Sequence, residues 1–219
     1  MARWQPDAPE RLVLAALDLF EEHGYEHTTV IQIAQRAGLT KSTFFRHFPD
    51  KREVLFGGDQ LATLLLQEVT TAPAGAAPLH AIAHAFDVLA ERAFTPARRA
   101  FTARRRAVIA TAPELQEREA LKGIALTAAM AEGLQQRGVP DLTSRAAAQL
   151  GALALAIAYE RWSGATGGEG VGDDPGDGLG EGFGDVARRA LAEVQAAAAG
   201  LDVQAPQAAG TATAHAGSG

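Results

Sequence analysis

The sequence predicts an all-α protein, a small N-terminal helical unit followed by a larger one, with about nine helices in total. Three observations carry this. The 219 residues include 48 alanines, the strongest helix former, and few β-branched residues. Apolar residues recur at i, i+3, i+4 and i+7 over most of the chain. Nothing between 78 and 199 alternates with the period of two that a strand needs. Apolar residues make up 47%, but the alanine share leaves fewer bulky core-formers than that figure implies. There is no cysteine, which excludes disulfides, thiolate zinc sites and cysteine nucleophiles and fits a reducing cytoplasm. No apolar run approaches the roughly 20 residues that cross a bilayer, and the start MARWQPDAPE lacks a signal peptide's apolar stretch. The formal net charge of −6 and pI near 5.5, taken alone, argue against binding to an acidic polymer.

Four capping signals order the first 70 residues. Asp7 with Glu10 opens a helix whose stripe is Leu12, Ala15, Ala16, Leu19 and Phe20, and Gly24 ends it. Thr29 with Gln32 opens a second, burying Val30, Ile33, Ala34 and Ala37 before Gly38. Thr40 opens a third, with Phe44 and Phe48 one turn apart on its inner face. Asp50 with Glu53 is expected to launch a helix running through Val54, Leu55, Leu61, Leu65 and Val69. Ala72 to Ala77 reads as a linker. Five further helices are predicted at about 78–94, 96–111, 113–137, 142–163 and 181–199, three of them with proline in the first turn. Ten glycines and several acids over 164–184 suit a flexible loop, and 200–219 has no apolar stripe and reads as a disordered tail.

Residues 24–56 read GYEHTTVIQIAQRAGLTKSTFFRHFPDKREVLF, two short helices around a glycine turn. From His27 to Arg52 there are five basic residues and one acid, a balance of +4 against −10 for the rest of the chain. With Phe44 and Phe48 inward, Lys41, Ser42, Phe45 and Arg46 turn outward. Lys41 suits guanine edges, Ser42 and Thr43 bases or sugars, and Phe45 a thymine methyl. Thr29, His47 and Lys51 suit phosphates. The ordered elements GY, TTV, IA–AG, LT, TFFRHF and DK over residues 7–58 resemble the DNA-binding domain of the tetracycline-repressor (TetR) family. The resemblance implies DNA contacts at Lys41, Ser42, Thr43, Phe45, His47 and Lys51, and Thr29, Thr40 and Arg46 join them as candidates from their own place at the helix starts and on the outward face. Phe45 stands where tyrosine is usual, Ser42 where glycine or proline is common, and Ile31 where a polar base reader can sit. Ile31 and Phe45 are equally open to packing against neighbouring helices.

The resemblance also implies the architecture: a helix-turn-helix domain over 1–58 and a helical ligand-binding and dimerisation domain over 59–199. The expected activity is that of a homodimeric repressor in the cytoplasm, released from a pseudo-palindromic operator by a small molecule, the alternatives being a dimeric DNA-binding protein without a small-molecule response and, behind it, a metal-dependent sensor. It is not expected to be an enzyme, to need a cofactor or to touch a membrane, and no serine–histidine–acid order, Walker loop or HExxH motif is present. Leu150, Gly151, Ala154, Ala158 and Trp162, with Phe183, Val186, Ala190, Leu191 and Val194, form stripes suited to a four-helix dimer interface or to the chain's own core. Phe86, Phe94, Phe101, Arg105 and Met130 are candidates to line an effector cavity. Arg98, Arg99, Arg104, Arg105 and Arg106 suit an anionic ligand, the DNA-binding domain, or ordinary ion pairs. His80, His84 and Asp87 share a helix face that a metal can use, but three such residues lack a fourth ligand, and no metal is expected.

Overall fold

The computed structural model describes residues 7–164 and 181–201. Residues 165–180 and 202–219, which hold most of the expected loop and tail, lie outside the described residues. The described chain is helical, in the order α1 (Ala8–His23), α2 (Val30–Arg36), α3 (Lys41–His47), a 3-10 turn (Arg52–Leu55), α4 (Gln60–Thr71), α5 (Pro78–Arg92), a second 3-10 turn (Pro96–Arg98), α6 (Arg99–Thr111), α7 (Pro113–Gln136), α8 (Asp141–Gly164) and α9 (Phe183–Gly200).

The caps form where the sequence places them. Asp7 accepts from the Glu10 amide at 3.0 Å. Thr29 and Gln32 make a reciprocal capping box, with Gln32 Oε1 2.8 Å from the Thr29 amide. Thr40 Oγ1 accepts from the Thr43 amide at 3.1 Å. Asp50 caps as expected, accepting from the Arg52 and Glu53 amides at 2.8 and 3.1 Å. The helix it launches stops, however, after one 3-10 turn. Gly57 and Gly58 follow, both left-handed at φ 64° and 62°, and α4 begins afresh at Gln60. Two successive residues in that region break any helix, and only glycine adopts it without strain. The expected continuous fourth helix is therefore two elements with a glycine joint.

Two apolar clusters organise the fold. One holds Leu12, Leu17, Phe20, Ile33, Phe44, Phe48 and Leu55 from the first 56 residues, together with Val108, Ile109, Ala112 and Leu115 from α6 and α7. The other joins α4, α5, α7, α8 and α9 around Ile82, Phe86, Leu89, Met130 and Trp162, all at most 1% exposed. We call the α1–Phe56 segment the head and α4–α9 the body. α6 and the start of α7 thus belong by packing to both.

The α8 and α9 stripes face this second cluster. Ala154, Ala158, Ala187 and Ala190 are fully buried, and Phe183 stacks on Phe94 at 4.1 Å between ring centroids. Gly151 lets α8 approach so closely that a β-carbon there would meet Ile82 at 3.0 Å. Of the two readings of these stripes, the chain's own core is the one realised among the described residues.

Candidate nucleic-acid interface

α3 is held from behind and open in front. Phe44 is fully buried and packs on Phe48 at 5.6 Å. Gly38, at φ 65°, makes the turn between α2 and α3, and Arg11 from α1 donates to the Ala37 carbonyl at the end of α2. Thr28, 1% exposed, ties the turn before α2 to α1 by donating to the Leu19 and Gly24 carbonyls at 3.2 and 2.9 Å. A seven-residue helix has little stability of its own, so its orientation comes from these tertiary contacts.

The outward face carries Thr29, Thr40, Lys41, Ser42, Phe45, Arg46 and His47, all exposed, with Thr43 half-buried. Lys41 Nζ lies 5.8 Å from the Phe45 ring centroid, which steadies a long side chain without neutralising it. Ile31 and Phe45 are 49% and 47% exposed; Phe45 meets the buried Phe44 edge-on at 5.5 Å between ring centroids, so packing accounts for one side of its ring and leaves the other open. Lys51 is partly committed: its Nζ donates to the Tyr25 carbonyl at 2.7 Å and sits 3.8 Å from that ring's centroid. An ammonium has three donors, so two remain for a phosphate.

The basic excess is smaller in space than in sequence. Arg36 makes a two-pronged pair with Glu22 at 2.9 and 2.7 Å, and this holds the Glu22 carboxyl below its ordinary pKa. Arg52 pairs with Asp50 at 3.3 Å. Among the described residues Lys41, Arg46, Lys51 and Arg11 form no ion pair with a carboxylate; Arg11 is spent on the Ala37 carbonyl, which leaves Lys41, Arg46 and Lys51 as the cations on the α3 side of the head.

The remaining candidates do not converge. Phe86 and Met130 are fully buried in the body cluster, and Phe94 stacks on Phe183 and meets Trp162 edge-on. Phe101 packs against the head cluster. Arg105 faces the head too, with its Nε on the Leu55 carbonyl at 2.7 Å, Nη1 on the Tyr159 hydroxyl at 2.8 Å and Nη2 on Glu119 at 2.7 Å. Burial lowers its basicity, but Tyr159 and Glu119 outweigh that and leave it raised. Of the other arginines, Arg104 reaches Asp18 and Glu21 of α1 at 2.6 and 2.9 Å, Arg106 pairs with Glu160, and Arg99 donates to the Trp162 carbonyl. His84 lies 3.8 Å from Glu68 while Asp87 pairs with Arg188, and no group of three metal-binding side chains occurs among the described residues.

Sequence reading missed the contacts that join head to body: Tyr25 to Glu114 at 2.9 Å, Arg118 to Glu53 at 3.0 Å, and Lys122 to the Phe56 carbonyl at 2.6 Å. One signal was available for Arg105. It falls on the i, i+3 stripe Thr102, Arg105, Val108, where an arginine needs a buried partner.

The family model described as "Bacterial regulatory proteins, tetR family" matches residues 12–56. The HTH-type transcriptional regulator TcmR of Streptomyces glaucescens is 44% identical over 78 residues, 35% of this chain and 34% of that protein. The chain is thus matched to about a third of that relative's length. Among solved structures, a SmeT–triclosan complex is 22% identical over 87% of this chain and 90% of its own, with a TM-score of 0.52; SmeT is a repressor from Stenotrophomonas maltophilia. A TetR-family regulator from Mesorhizobium loti is also 22% identical, over 88% and 95%, with a TM-score of 0.50. These two have the same fold as this chain. Residues 12–56, the N-terminal helix-turn-helix, are therefore similar to the DNA-binding segment of the tetR family of bacterial regulatory proteins.

Proposed function

We propose that this chain is a sequence-specific transcriptional regulator, a homodimeric repressor that a small molecule releases from a pseudo-palindromic operator in the cytoplasm. The observation that carries it is the α3 face: exposed Lys41, Ser42, Phe45, Arg46 and His47 on a helix locked from behind by buried Phe44. A short helix so presented fits a major groove, with Lys41 on base edges, Phe45 toward a thymine methyl, and Thr29, Thr40, Thr43 and Lys51 toward sugars and phosphates. The division of labour is a reading head over 1–58 and a regulatory and dimerisation body over 59–199. Self-association would use the outer faces of α8 and α9, where Leu142 and Leu153 are 77% and 53% exposed and Ala192 and Ala196 leave room for close approach.

Control by a small molecule rests on the fold shared with SmeT, which is solved with triclosan. A second reading, DNA binding without an effector, is favoured by the full burial of Phe86 and Met130 in the body's core. Thermal-shift screening separates the two, since a ligand that binds only the folded chain raises Tm. The DNA reading is tested with Lys41→Ala and Lys51→Ala. Loss from Lys51 should be similar on every sequence, while loss from Lys41 should relax base preference by about 1–3 kcal/mol at one position. Unchanged operator binding in both variants sinks the assignment of this face.

A further inference from the structure

At the junction of head and body one aromatic ring is surrounded by cations. Phe56, 2% exposed, follows the first 3-10 turn and precedes the left-handed pair Gly57–Gly58. Its ring centroid lies 4.8 Å from Arg105 Cζ, 5.1 Å from Arg118 Cζ and 6.0 Å from Lys122 Nζ. The same side chains, from α6 and α7, hold the end of the turn. Arg105 donates to the Leu55 carbonyl at 2.7 Å, Lys122 to the Phe56 carbonyl at 2.6 Å, and Arg118 to the Glu53 carboxylate at 3.0 Å. Cations over a ring face, and cations at the carbonyl end of a helical turn, are each attractive.

The three cations are not equally matched. Arg105 has Glu119 and Arg118 has Glu53, but among the described residues Lys122 has no carboxylate ion pair. The charged groups that act on it are Arg105 from α6, Arg118 and Glu119 from its own helix, and Glu53 from the turn. Tyr159 of α8 stands on the far side of Arg105, and Asp59 acts on Arg118. Two neighbouring cations and burial therefore oppose the charge on Lys122 more than the two carboxylates support it.

We propose that Arg105, Arg118 and Lys122 form a latch around Phe56 that fixes the head against the body at the Gly57–Gly58 joint, and that the proton on Lys122 sets how firmly the latch is shut. With the latch closed, burial first and Arg105 next lower the Lys122 pKa from 10.5 to about 8. Opening returns the ammonium to water and to its ordinary value. A base with a depressed pKa in the closed form loses its proton on closing, so rising pH favours closure. For values of about 8 closed and 10.5 open, the closed-to-open ratio rises about tenfold between pH 7 and pH 9.

Amide hydrogen exchange on the full chain tests this without DNA, so its outcome is independent of the operator-binding reading. Protection factors, corrected for intrinsic rates, are compared for Glu53 to Phe56 and for core amides such as Leu89 and Met130. The latch predicts that the junction opens at lower free energy than the core, and that its protection rises about tenfold from pH 7 to 9 in the native chain. Lys122→Met, similar in length and apolar, should make that protection independent of pH, and Arg105→Met should lower it at every pH. The proposal is overturned if junction amides exchange only together with core amides, or if Lys122→Met keeps the full pH dependence. The native chain's own pH profile decides the matter even where a variant does not fold.

Discussion

Arg105 shows how one side chain binds two parts of the chain together. It is 8% exposed and spends its fork on a backbone carbonyl, a phenol and a carboxylate from three different elements. The net stabilisation from placing it there is modest, because desolvating a guanidinium costs nearly what its partners return. Removing it is another matter, since the Leu55 carbonyl, the Tyr159 hydroxyl and Glu119 lose their donor together. Arg105→Met is expected to lower unfolding free energy by about 3 kcal/mol in urea titrations. Arg105→Lys should recover only part of it, because an ammonium lacks the planar fork. If Arg105→Met is as stable as the native chain, the network contributes specificity of packing and little else. Lys122 is its counterpart: equally placed, but with a backbone carbonyl as its hydrogen-bond partner, so its charge is the one that yields first.

Helix starts were legible in the sequence because a cap is a local device: Asp7, Thr29, Thr40 and Asp50 each bond an amide two or three residues on. The break at Gly57–Gly58 was missed although both glycines are in plain view. Val54, Leu55, Leu61 and Leu65 keep an apolar pattern across it, and that pattern masks the left-handed break at the two glycines. The faces of α8 and α9 were read correctly as apolar, but a stripe does not say whose core it enters; only the packing of α5 beneath α8 settles that. Contacts such as Arg118 to Glu53, 65 residues apart, leave no local trace. At the candidate site the outward residues of α3 were legible, while the neutralisation of Arg36 by Glu22 depended on how α1 lies beside α2. The cap at Asp50 makes a testable case. Burial raises its pKa, but the Glu53 amide and the Arg52 side chain outweigh this and leave it below 3.8. A carboxyl depressed in the folded chain stabilises it above the unfolded value and loses that contribution as pH falls through the folded one. Asp50→Ala should therefore cost about 1 kcal/mol at pH 7, with the difference from the native chain shrinking as both are acidified through the lowered folded-state value. A difference that persists undiminished in acid assigns the loss to packing.

Net charge and charge placement act on different properties of the molecule. The −6 total discourages the chain from adhering to DNA at large, while Lys41, Arg46 and Lys51 concentrate positive charge on one face of the head. Three cations on a seven-residue helix and its flank give one head little hold, since each neutralised phosphate contributes about −0.9 to the slope of log K against log salt. In the proposed dimer two heads joined through the body would double the phosphates engaged, and their separation would fix the half-site spacing. If the dimer forms on the proposed face, the exposed leucines of α8 are where this coupling would be cut without touching either head. Leu153→Glu, on a residue 53% exposed, should leave the monomer's stability within about 0.5 kcal/mol while placing a charge in the proposed contact. Sedimentation should then report a monomer, and the salt slope of operator binding should fall to about half. A dimer that survives Leu153→Glu with its slope intact places the contact elsewhere on the body, and the exposed apolar residues of α7, Leu121 and Ile124, become the next positions to charge.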